Sequence, residues 1–182
     1  LYDVQSKQYT SALNQFDTAV NAESDGKYSE YYKAFYYLNR GVLRAEMIDF
    51  ISSIENNVQT LTMDDKGTTR ARVRDQVSRT YDYSEAIDDM LAADRLLPGV
   101  PYIYFNLGNL YCLSSKFVES VDSYTKAINV YPYMGDAYFN RGLVLIYLKD
   151  KEKGCIDLSR AGELGVSDAY SVISKYCEEE KN

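Results

Sequence analysis

Apolar and small residues recur along this chain at helical spacing. Tyr9, Ala12, Phe16 and Ala19 form one set, and Tyr83, Ala86, Met90 and Ala93 a second. Phe117, Ser120, Tyr124 and Ala127 form a third, and steps of three and four place each set on one helix face. One interval carries Tyr83 to Phe117 and Ala93 to Ala127, so the second set maps onto the third. The same interval carries Tyr104-Phe105-Asn106-Leu107-Gly108 to Tyr138-Phe139-Asn140-Arg141-Gly142, and Tyr37-Leu38-Asn39-Arg40-Gly41 bears that signature earlier in the chain. A period of this length predicts a stack of two-helix units, each burying its apolar face against the next. Gly108 and Gly142 carry no side chain, so the second helix of each unit can approach the first closely there. Pro98 and Pro132, one period apart, stop the second helices.

The pattern predicts an all-α chain with a single repeat array over 1–182. Residues 1–22 read as a truncated repeat holding mainly a second helix. Because the chain opens on Leu1 in mid-repeat, it is expected to be a fragment of a longer protein. Residues 29–57 read as a divergent repeat, with no Gly or Pro between Val42 and Asn56 to end the helix. Residues 81–98 read as a second helix, 101–134 and 135–166 as full repeats, and 167–178 as a capping helix whose polar outer face is supplied by Lys175, Glu178 and Glu179. Over 58–80 the period breaks. Two β-branched runs, Val58 to Met63 and Thr68 to Val73, flank Asp64-Asp65-Lys66-Gly67, which favours a β-hairpin insertion near 58–73 over a degenerate first helix.

The aromatic-x-Asn-x-Gly signature in phase with late alanines resembles the tetratricopeptide repeat family over about two-thirds of the chain. The run Gly154-Cys155-Ile156-Asp157-Leu158, followed by Ala161-Gly162-Glu163-Leu164-Gly165, is similar to the closing repeat of bacterial members. The resemblance implies a right-handed α-solenoid whose concave groove is lined by first helices, and a role as an adaptor or scaffold that binds other proteins. In some members, an Asn at the position of Asn39, Asn106 and Asn140 forms a ladder on the backbone of an extended peptide. An amide that both donates and accepts suits that task, and equally suits bridging within a repeat. Members that grip a terminal carboxylate use groove Lys and Arg. The groove positions here lack Lys, and Arg40 and Arg141 sit one residue past the Asn, so carboxylate gripping is not expected.

First-helix residues not needed for packing supply the candidate binding face. These are Tyr102, Phe105, Asn109, Cys112 and Leu113, then Asp136, Phe139, Leu143, Ile146 and Tyr147. With the three Asn positions they make a strongly apolar and aromatic surface, of the kind that marks protein contact sites. Coverage by a neighbouring repeat or by the inserted hairpin is the competing reading. The expected partner is another protein or a peptide, with self-association or packing against the rest of a longer chain as alternatives, and a regulatory arm of an upstream enzyme as a third.

Composition narrows the remaining classes. Lys and Arg total 20 against 27 Asp and Glu, a net charge of −7, which disfavours a nucleic-acid partner. No apolar run approaches a membrane span. With no His, no phosphate-binding Gly loop and no nucleophile motif, neither an enzyme nor a metal or cofactor site is expected. Asp64-Asp65 reads as a turn and Asp88-Asp89 as helix surface. Arg70, Arg72 and Arg74 alternate as a solvated basic stripe or a contact for an acidic partner. Cys112, Cys155 and Cys177, odd in number and widely spaced, read as free thiols, with one disulfide left open.

Overall fold

The computed structural model describes residues 2–22, 29–57, 61–63, 69–71 and 81–178. Two helices come first, α1 (Tyr2–Asn21) and α2 (Ser29–Asn57). Two three-residue strands follow, β1 (Leu61–Met63) and β2 (Thr69–Ala71), paired antiparallel with Leu61 opposite Ala71. Asp64-Asp65, Arg72 and Arg74 lie outside the described residues. The chain then forms α3 (Ser84–Leu96), α4 (Pro101–Leu113), α5 (Phe117–Val130), α6 (Gly135–Tyr147), α7 (Lys151–Glu163) and α8 (Asp168–Tyr176). Each helix packs chiefly on its neighbours in sequence, the arrangement of a linear helical repeat.

Within each repeat the first and second helices are pressed together at a glycine. A Cβ at Gly108 would lie 2.5 Å from the ring of Tyr124. At Gly142 it would meet the Gly154 carbonyl at 2.9 Å, and at Gly41 the Met90 side chain at 2.9 Å. The hydroxyl of Ser120, wholly buried, donates to the Gly108 carbonyl at 2.8 Å, closing the same contact with a hydrogen bond. Two adjoining cores result. One is centred on Met90, Ala93, Ile103 and Leu107 between α3 and α4, the other on Tyr124, Ala127 and Ala137 between α5 and α6.

The turns within repeats are also periodic. After α4, Ser115 N–H donates to the Cys112 carbonyl and Lys116 N–H to the Tyr111 carbonyl. After α6, Lys149 and Asp150 make the same two bonds to Ile146 and Leu145. This double bond pattern places Ser115 and Lys149 in the left-handed region, at φ 58° and 70°.

Ion pairs mark two of the repeats. Arg40 reaches Asp89 through Nε and Nη2, and Arg141 reaches Asp157 in the same two-pronged way. The first pair lies much further apart in sequence than the second, because the chain between α2 and α3 is far longer than the turn between α6 and α7. Asp89 is therefore not helix surface: Arg40 and Arg44 hold its carboxylate in the α2–α3 interface at 3% exposure. Arg40 and Arg141 turn into these interfaces and away from any groove.

Candidate functional site

α2, α4 and α6 stand side by side as the first helices of three repeats, and a hollow of about 480 Å³ runs across them. The signature that ends in Gly41 on α2 recurs on α4, ending in Gly108, and again on α6, ending in Gly142. Equivalent positions therefore line up in rows. Val42, Asn109 and Leu143 make one row; Ala45 and Cys112 make the next; Glu46 and Leu113 make the third. Asn106 and Asn140 flank them.

The amides at the centre are fixed by the protein itself. Asn109 Oδ1 accepts from the Tyr124 hydroxyl at 2.6 Å and from Asn140 Nδ2 at 3.0 Å. Asn106 Nδ2 donates to the Tyr102 carbonyl, and Asn39 Nδ2 to the Phe35 carbonyl, one turn back in each case. Asn39, Asn106 and Asn140 thus each use one N–H inside the chain and keep a second. Burial raises the Tyr124 phenol above its ordinary pKa, so it stays a neutral donor. At the α2 end, the Tyr83 hydroxyl donates to Asp49 at 3.1 Å. Burial first, and the neighbouring Asp49 charge second, push that phenol up to about 12.

The candidate residues divide between two surfaces. Asn106, Asn109, Asn140 and Leu143 meet in the groove, together with Cys112 and Leu113. Tyr102, Phe105 and Asp136 instead line a second hollow of about 430 Å³, bounded by the turns around Tyr131 to Gly135 and Leu164 to Asp168. Phe105 also packs its ring 6.0 Å from Tyr124, in the second core. Tyr147 is exposed and packs its ring against Phe117, tilted, at 4.5 Å between ring centres. Ile146 approaches Gly154 on α7, and Phe139 is half-buried and lines neither hollow. Asn39 is exposed on α2 outside the groove.

The groove also draws on α2, through Val42, Ala45, Glu46 and Asp49, which the candidate set omits. Carrying the Asn-x-Gly register onward from Gly41 places Val42 and Glu46 beside Asn109 and Leu113, so the signal lies in the sequence.

Of the three cysteines, Cys155 and Cys177 are joined by a disulfide that ties the end of α8 to α7. Cys112 is the free thiol, half-buried in the groove, and burial raises its pKa. Among the described residues, no cluster of His, Cys, Asp or Glu has the arrangement of a metal site, and no helix is long and apolar enough to cross a membrane.

No family model matches the chain, and no curated protein matches it. Among solved structures it is similar to the first TPR of Spaghetti (RPAP3), bound to the HSP90 peptide SRMEEVD. That likeness has 24% identity and a TM-score of 0.49, and covers 51% of this chain and 75% of that one. The tetratricopeptide-like form of this chain rests on its own period and helix pairing.

Proposed function

We propose that this chain is a protein-binding module, an adaptor or scaffold that takes a peptide or helix of a partner in the groove across α2, α4 and α6. The observation that carries the reading is the groove itself. Three helices in register present Val42, Leu113, Leu143 and Cys112 around a strip of fixed amides, and Leu113 and Leu143 are exposed. Contiguous exposed apolar surface of this kind serves association. Asn106 and Asn140 can offer their remaining amide groups to a bound backbone. We read the extra residues between α2 and α3, including the β1–β2 pair, as an insertion within the first of the three repeats.

Groove-dependent capture tests the reading. The native chain, a Leu113→Glu, Leu143→Glu double variant and a Tyr102→Ala variant in the second hollow are immobilised and exposed to lysate of the source cell. Phe105 is left alone because it packs on Tyr124. The expected result is a partner held by the native and Tyr102→Ala chains and lost from the double variant, whose helical content and thermal transition match the native chain. A partner retained by the double variant contradicts groove binding. A native dimer that the double variant dissociates would assign the groove to a second copy of the chain.

A further inference from the structure

The groove is apolar for most of its length but not electrostatically neutral. In the row that carries Leu113 on α4, α2 supplies Glu46, and one turn further along α2 stands Asp49. Both are exposed, and no Lys or Arg lines the groove. The cations nearest in sequence on α2 face elsewhere. Arg40 is bound to Asp89 and Asp17, and Arg44 to Asp89 and Glu85. Among the described residues, these ion pairs leave Glu46 and Asp49 outside them. The groove therefore has an apolar run over α4 and α6 and an acidic end on α2, on a chain whose net charge is −7.

We infer that the groove selects an apolar segment bearing Lys or Arg at the end that reaches α2, and rejects an acidic one. The inference rests on the groove reading above and adds polarity to it. An acidic ligand would bring like charge against Glu46 and Asp49, whereas a basic one gains attraction at the same place. Fixed charges at an interface set which partner is excluded as much as which is held.

The test uses the full chain and two fluorescein-labelled peptides. Both carry leucines at helical spacing; one ends in two lysines, the other in two glutamates at the same places. Fluorescence anisotropy gives Kd at physiological salt for the native chain, Glu46→Lys, the remote exposed Glu152→Lys on α7, and an uncharged Leu113→Gln, Leu143→Gln double variant. The lysine peptide is expected to bind the native chain about tenfold more tightly than the glutamate peptide, the size of two exposed charge contacts changing sign. Glu46→Lys should remove most of that preference and Glu152→Lys should leave it. Equal affinity for the two peptides, no binding of either, or an equal loss in both lysine variants would overturn the inference. If the double variant binds the lysine peptide as the native chain does, the groove itself is not the site, and the parent reading fails separately.

Discussion

Replacing Asp89 with Ala will destabilise the folded chain by about 3–5 kcal/mol, the cost of leaving buried charge without its partner. Asp89 is 3% exposed and accepts from Arg40 at 3.0 and 2.5 Å and from Arg44 at 2.6 Å. Hydrogen bonds to the Asp89 carboxylate are the chief cause that raises the Arg40 pKa, and because arginine stays protonated even without them, the guanidinium keeps its charge when Asp89 is gone. Asp17, at 2.7 Å from Arg40, is far more exposed and can offset only part of the loss. The middle repeat supplies an internal control. Where the outer repeats have Arg40 with Asp89 and Arg141 with Asp157, it has Leu107 and Ser123. Importing that pair as Arg141→Leu with Asp157→Ser removes both charges together and should cost about 1 kcal/mol or less, against about 3 kcal/mol or more for Asp157→Ala alone. Urea unfolding of the three variants measures this. An Asp89→Ala chain within about 1 kcal/mol of native would show that these pairs are solvated and do not hold the repeats together.

Reducing the Cys155–Cys177 disulfide should cost about 3 kcal/mol, the loop-closure value for a separation of 22 residues. The effect should concentrate at α8, which otherwise rests on α7 through Ala169 and the approach of Tyr170 to Gly162. A nine-residue helix is too short to persist without such support. Urea unfolding with and without dithiothreitol, with hydrogen exchange over 168–176, reads both parts. A Cys155→Ser, Cys177→Ser variant should match the reduced chain and ignore the reductant. A change under about 1 kcal/mol, or three alkylatable thiols in chain purified without reductant, would contradict a disulfide that holds α8 in place. One alkylatable thiol would fit a protein that matures where disulfides persist.

The repeat is legible in the sequence because its physical cause is a residue type. Only glycine lets Tyr124 lie where it does over α4, and one period later Gly142 serves the same close approach to Gly154 and Leu158, while Gly41, outside that phase, does so for Met90. The groove is half legible. A 13-residue helix is about 20 Å long, so residues that share one face of α4 can border different hollows at its two ends. Tyr102 and Phe105 fall at one end, and Asn109, Cys112 and Leu113 at the other. The buried acid escapes a reading by pattern because Asp88-Asp89 looks like any polar helix pair. Yet Arg at 40 and 141 goes with Asp at 89 and 157, while the middle repeat lacks both, and that pairing is the available signal. The disulfide is not legible, since spacing alone does not say that α8 folds back to bring Cys177 to Cys155.

Cys112 allows occupancy of the groove to be measured directly, because this free thiol lies inside it. Its alkylation rate would be followed by mass spectrometry in the chain alone and with the partner recovered by groove-dependent capture. With that partner at about ten times its Kd, the open fraction falls and the rate should slow about tenfold. An unchanged rate at the same occupancy would place the partner elsewhere on the molecule and contradict a binding groove across α2, α4 and α6.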